Sequence, residues 1–267
     1  MTSEDGTCPV EDADLHVRRL GDGPPLLMIA GGIGAIDTYR ALAARLGETY
    51  TVLTYARRGH FRSADRSDGP LTVERHADDA RAVIEHFGYG KALVFGSSAG
   101  AQIGLALATR HPGAVTGLVA HEPPAVRVLP DAEDWLDFAA EQVAHAASGD
   151  VMTAFKEFLG SIAGAGLPDL KTIRIPHEAE WKALFTRELA GFYGYLPDVA
   201  TLRRARLPIV LAAGEASRGY YHYRPARLLA LELGLPFVET PGAHLAPQRH
   251  ATDFGDALTD LLTDLVL

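Results

Sequence analysis

The chain has 267 residues, is 47% hydrophobic and carries a formal net charge of -9, which is enough apolar content for a full core and no basic surplus to hold phosphate backbones. Nucleic acid is therefore not an expected partner, and the pair Arg203-Arg204 reads as a solvated helix face. Cys8 is the only cysteine, so no disulfide or thiolate metal cluster can form within one chain, which fits a reducing compartment.

In chain order, the stretch Met1 to Asp14 is acidic, with no basic start and no apolar run, and reads as a polar leader rather than a signal peptide. His16 to Leu20 reads as a strand, followed by a Gly-Asp-Gly-Pro-Pro turn and the buried apolar strand Leu26 to Ala30. The longest apolar stretch, Leu26 to Ile36, is broken by glycine and too short to span a bilayer, so a soluble cytoplasmic protein with no membrane contact is expected. Asp37 to Leu46 reads as a helix, Thr51 to Tyr55 as a strand, and Thr72 to Phe87 as a helix capped by Thr72. Ala92 to Phe95 is a strand, and Ile103 to Ala108 is helical. Val115 to Ala120, Pro208 to Ala212 and Pro236 to Glu239 are further strands, with helices at Tyr223 to Leu233 and Asp253 to Leu265.

Strands alternating with helices imply an α/β fold with a mostly parallel sheet covered on both faces. The rhythm breaks between Pro130 and Arg206, where helical segments rich in aromatics take over. The expected organisation is thus a core domain of residues 1–129 and 206–267, with a helical cap at 130–205. Most of the cap's rings should form its own small core. Some should line an apolar pocket above the sheet, with Trp181, Phe185 and Tyr221 as the pocket residues.

The stretch Gly96-Ser97-Ser98-Ala99-Gly100 lies between a strand and a helix. Small residues there permit a sharp turn that lifts one hydroxyl out of the sheet, the setting of a nucleophilic serine, and Ser98 is central. A neutral hydroxyl needs a base. Of the eleven histidines, His244 sits in Pro241-Gly242-Ala243-His244-Leu245-Ala246-Pro247 after the last strand, on the sheet edge where chemistry collects. His60 reads as a structural hydrogen-bonding residue, and His76, His86, His111 and His145 as helix-surface residues.

Two carboxylates could orient the base: Glu122 in His121-Glu122-Pro123-Pro124, and Glu215 in Ala213-Gly214-Glu215-Ala216-Ser217. Both keep the order serine, acid, histidine. The oxyanion hole should use the N–H of Ala99 and that of Gly32 or Ile33 in the loop Gly31-Gly32-Ile33-Gly34. As a dinucleotide-binding loop this segment lacks the third glycine and an acidic residue at the end of the next strand.

On the glycine loop, the elbow and the late histidine, the chain resembles the α/β-hydrolase superfamily over essentially its full length. On Gly96 to Ala101, Ala120 to Pro124 and Pro241 to His244 it looks most like the zearalenone lactonases. That resemblance implies Glu122 as the acid, since most other members place it after the next strand, where this chain has Ser217. The superfamily resemblance also rests on Tyr55-Ala56-Arg57-Arg58-Gly59-His60-Phe61-Arg62-Ser63, which lies where relatives usually carry Asp-x-x-Gly-x-Gly-x-Ser, while Gly31-Gly32 departs from the usual His-Gly.

The expected activity is hydrolysis of an ester or lactone of an apolar small molecule through an acyl-enzyme, without metal or organic cofactor. A small-molecule substrate is the expected partner, with homodimerisation left open. The same triad also serves C–C hydrolysis, acyl transfer or perhydrolysis, and the same fold can serve as a non-catalytic receptor.

Overall fold

The computed structural model describes residues 3–162 and 177–266; the first two residues of the expected leader, residues 163–176 of the expected cap and the last residue lie outside them. The chain opens with a hairpin, β1 (Ser3–Val10) and β2 (Ala13–Leu20), followed by β3 (Pro25–Ile29), α1 (Arg40–Leu46), β4 (Thr51–Tyr55) and a short β5 (Ala64–Asp65). Next come α2 (Val73–His86), β6 (Ala92–Ser97), α3 (Ala99–Arg110) and β7 (Val115–His121). Between β7 and β8 lie α4 (Ala132–Ala147), α5 (Val151–Ile162), α6 (Glu178–Ala183), a π turn at Leu184–Glu188, α7 (Leu189–Gly194) and α8 (Val199–Ala205). The chain closes with β8 (Ile209–Gly214), α9 (Tyr223–Leu233), β9 (Phe237–Thr240), α10 (Ala246–Arg249) and α11 (Ala251–Asp264).

Among the described residues the strands form one sheet in the order β1-β2-β4-β3-β6-β7-β8-β9, with β5 on β2. Pairing is antiparallel from β1 through β4 and parallel thereafter. The central strands are buried on both faces, and their side chains alternate. Leu27 and Ile29 of β3 with Val94 of β6 pack toward α2, α3 and α9, while Leu26, Met28, Leu93 and Phe95 pack toward α1 and α11. That is why these strands read as continuous apolar runs. Thr72 caps α2 by accepting the N–H of Arg75 at 3.1 Å.

Two expectations fail here. The polar leader is a strand, β1, paired along its whole length with β2 from Ser3↔Leu20 to Val10↔Ala13. As an edge strand it buries only Cys8, so its sequence shows no alternating apolar pattern. Burial pushes the Cys8 thiol up to about 11. His76, expected on the surface of α2, is buried. No helix among the described residues is long and apolar enough to cross a membrane.

Everything after β6 is positioned by the turn at Ser98, which depends on two glycines. A Cβ on Gly100 would run into the carbonyl oxygen of Ile29 at the end of β3, and one on Gly96 into the carbonyl of Gly100. Helix α3 therefore starts against the sheet edge with no room for a methyl group. Gly100→Ala is expected to lower the stability to urea unfolding by about 3 kcal/mol through overpacking. Gly113→Ala, where the new methyl meets open space, should stay within about 0.5 kcal/mol.

Candidate active site

Ser98 occupies the turn between β6 and α3 with φ 57 and ψ -126. A side-chain-bearing residue held in that left-handed region costs about 1–3 kcal/mol, which the surrounding packing must over-determine. Its own N–H donates to the carbonyl of His121 at 2.9 Å, tying the turn to the end of β7. Gly31 packs directly on it, since a Cβ there would lie 2.7 Å from the Ser98 Cβ. The N–H of Ala99 opens α3. Like those of Gly32 and Ile33, it has no acceptor among the described residues.

One step past β7, Glu122 also takes a left-handed backbone, φ 48, and is fully buried. Its N–H continues the sheet pairing onto the carbonyl of Ala212 at 2.9 Å. Its carboxylate is held at both oxygens: the N–H of Gly214 donates to Oε1 at 2.8 Å, and His244 Nδ1 lies 2.6 Å from Oε2. Burial opposes ionisation, but the field of His121, together with the hydrogen bond and charge of His244, holds the carboxyl well below the usual carboxylate range. An ionised Glu122 fixes the proton of His244 on Nδ1, which leaves Nε2 as the basic nitrogen.

The structure thus brings Glu122 and His244 into contact and sets Ser98 and His244 on one cavity of about 740 Å³. In this arrangement Ser98 Oγ and the imidazole border the same space without a hydrogen bond between them. Gly32 and Ile33 share that cavity. Glu215 lies elsewhere: it begins a 3-10 turn and is exposed, while its neighbour Gly214 serves Glu122.

The pocket expectations divide. Trp181 lines the large cavity with Phe155 and Phe158, and its buried indole N–H has no partner among the described residues. Tyr221 lines a second, small apolar slot beside Ser98 and Ala99, with Phe192 and Tyr193. Phe185 lines neither. It is fully buried behind Trp181, 5.8 Å away between ring centroids, in the core of the helical segment between β7 and β8. Trp135 likewise stacks on Tyr221 at 4.0 Å instead of facing the cavity.

Sequence reasoning missed His222, just ahead of α9. Its ring lies 4.4 Å from that of His244, and its Nε2 is 3.4 Å from both Glu122 Oε2 and Ser217 Oγ. Ser217, which the superfamily resemblance places where most members carry the acid, thus shares the His222 ring with Glu122. Glu122, His222 and His244 also present their donor atoms within 4.8 Å of one another. The carboxylate–imidazole contact already closes that space, so the group reads as a hydrogen-bonded cluster. Burial and the nearby His244 push His222 down to about 3, and burial, against the pull of Glu122, pushes His121 down to about 4. Both rings are uncharged at neutral pH; His121 stands out in the sequence as the end of a strand at this edge, whereas no signal in the local sequence marks His222.

A model of the alpha/beta hydrolase fold matches residues 24–165. Over 98% of its length the chain is 31% identical to an uncharacterized hydrolase, YraK, of Bacillus subtilis (strain 168), covering 97% of that protein. It is 26% identical to 2-(acetamidomethylene)succinate hydrolase of Mesorhizobium japonicum, over 86% of this chain and 84% of that one. The crystal structure of the enol-lactonase from Burkholderia xenovorans LB400 superposes with a TM-score of 0.77 at 20% identity, covering 97% of this chain and 100% of that one.

The buried neutral histidines have a pH consequence. Unfolded, each titrates near 6.5; folded, each resists protonation down to about 3 or 4. Below pH about 6.5 the unfolded chain binds more protons, so stability falls with pH, by at most about 1.4 kcal/mol per unit for each ring. Between pH 6.5 and 4.5, His222→Gln should lose about 2 kcal/mol less stability to urea than wild type. Equal losses would mean that His222 is protonated in the folded protein.

Proposed function

The chain belongs to the alpha/beta hydrolase fold family, and from that premise we propose that it is a serine hydrolase cleaving an ester or lactone of an apolar small molecule. The observation that carries this reading is the 2.6 Å contact of His244 Nδ1 with a fully buried carboxylate, at the cavity that Ser98 also lines.

Ser98 Oγ attacks the substrate carbonyl while His244 Nε2 takes its proton, and Glu122 stabilises the imidazolium. The N–H groups of Ala99 and of Gly32 or Ile33 receive the oxyanion, each such donor contributing about 10²- to 10³-fold in rate. His244 returns the proton to the leaving alkoxide. Water, activated by the same ring, then releases the acyl group. The hydrolase names among the relatives support water as the acceptor.

A likeness to the zearalenone lactonases is proposed on Gly96 to Ala101, Ala120 to Pro124 and Pro241 to His244, and the rings of Phe155, Phe158 and Trp181 favour an apolar or aromatic substrate. We propose residues 130–205 as the cap and the remainder as the catalytic core.

A fluorophosphonate probe should label Ser98, and Ser98→Ala should abolish labelling; well-folded wild type that stays unlabelled would favour a non-catalytic receptor. Glu122→Gln should lower kcat by about 10²- to 10⁴-fold, through loss of the correct tautomer, whereas Glu215→Gln changes it by less than about twofold. The reverse ranking would move the acid to Glu215. A panel of p-nitrophenyl esters of rising chain length, with aromatic and macrocyclic lactones, assigns the bond. Turnover of none of them, in protein whose Ser98 reacts with the probe, would redirect the reading to C–C hydrolysis or acyl transfer.

A further inference from the structure

Arg57 follows β4 and is 1% exposed. A guanidinium cannot shed its charge, so a buried one must be satisfied by the protein at every donor. Nε and Nη2 fork onto both carboxylate oxygens of Glu188, at 3.1 and 2.9 Å. The inner edge of the same group binds main-chain carbonyls: Nη1 donates to Ala30 at 2.9 Å and Nη2 to Gly32 at 2.5 Å. The backbone N–H of Arg57 donates to the carbonyl of Gly34 at 3.2 Å. Three carbonyls of the loop that carries the proposed oxyanion donors therefore converge on one residue.

Peptide planarity turns this into a direction. In a trans peptide the carbonyl and the following N–H point opposite ways. With the carbonyl of Gly32 turned onto Arg57, the N–H of Ile33 is turned away from it, and Ile33 and Ser98 border the same cavity. With the carbonyl of Ala30 on Arg57, the N–H of Gly31 faces away in turn and meets the Tyr39 hydroxyl at 3.5 Å. A lysine head offers a compact point charge and could not fork onto Glu188 while also holding two carbonyls.

The other half of the device belongs to the segment between β7 and β8. Glu188 ends the π turn Leu184–Glu188, a rare helix irregularity that is frequent at functional sites. It is as buried as Arg57. Its carboxylate also receives His60 Nε2 at 2.9 Å and has His76 Nε2 at 2.9 Å. Phe192 of α7 closes the site, stacked on the His76 ring at 5.7 Å and lying 5.5 Å from the guanidinium carbon.

We infer that Arg57 is a positioning residue for the oxyanion hole, aiming the Ile33 N–H through the Gly32 carbonyl, and that Glu188 holds it in place so that seating of the helical segment and oxyanion binding are one event. The inference rests on the hydrolase reading above.

The test uses Arg57→Lys and Glu188→Gln in the full chain, with fluorophosphonate titration of Ser98 to count competent sites. Per competent site, Arg57→Lys should lower kcat by about 10²-fold, the loss of one oxyanion donor, with KM changed by less than about threefold. Affinity for an alkylboronic acid, whose serine adduct places a charged oxygen in the hole, should fall by the same factor as kcat. Glu188→Gln, which keeps the shape and loses the charge, should move both in the same direction by about tenfold. It carries the test alone if Arg57→Lys does not fold.

A purely structural role would lower the melting temperature while leaving kcat per site and boronate affinity at wild-type values, and that result overturns the inference. A loss confined to KM overturns it as well. Wild type that neither labels nor turns over any ester or lactone overturns the hydrolase reading, and the inference with it.

Discussion

A carboxylate with no exposure to water has to find its hydrogen bonds inside the protein, and Glu122 does so by joining three parts of the sheet edge at once. Gly214 at the end of β8 takes one oxygen, and His244 in the loop after β9 takes the other. The backbone of Glu122 meanwhile stays hydrogen-bonded to Ala212. Removing either partner would strand a buried charge, so the end of β8 and the His244 loop hold together. The tautomer of His244 follows from this without further machinery, because an ionised oxygen 2.6 Å from Nδ1 needs a donor there. The neighbouring rings of His121 and His222 stay uncharged, so His244 faces no competing cation at the acid.

Charge is handled the same way on the other side of Ser98. Arg57 and Glu188 form a buried pair linking the glycine loop to the helices between β7 and β8, and Arg58 forks onto Asp79 of α2 at 2.7 and 2.6 Å. Pairs of this kind add little net stability, because desolvation offsets attraction, but misplacing either partner is costly. They act as registration marks: a loop or helix that settles in the wrong place leaves an unpaired charge in a low-dielectric interior. The apolar cluster of Phe155, Phe158, Trp181 and Phe185 would tolerate many packings. Glu188 tolerates one.

The strands and helices of the core were legible because each face that must be buried leaves a local period. Thr51 to Tyr55 and Tyr223 to Leu233 match the observed elements at both ends. The places of Ser98 and His244 in the fold were legible for a related reason, since a strand-turn-helix of small residues and a histidine in a loop at the sheet edge are short-range patterns. β1 was not, because an edge strand that buries one cysteine is held by ladder hydrogen bonds, which every residue type can make. His76 was misplaced on the surface, although it shares a face with Val73, Ala77 and Ala80. Only its partner, Glu188, makes that face habitable for a histidine.

Taken alone, the amino-acid order determined the layer architecture, the turn that carries Ser98 and the edge on which His244 lies, since all three follow from hydrophobic periodicity and backbone sterics within a dozen residues. Tertiary structure decided which carboxylate meets His244, leaving Glu215 in solvent and Glu122 in the interior, and whether a ring between β7 and β8 faces the cavity, like Trp181, or packs behind it, like Phe185. It also brought Arg57 to Glu188. Such pairings depend on burial and on contacts between distant segments, and a charge reveals its partner only once water has been removed from around it.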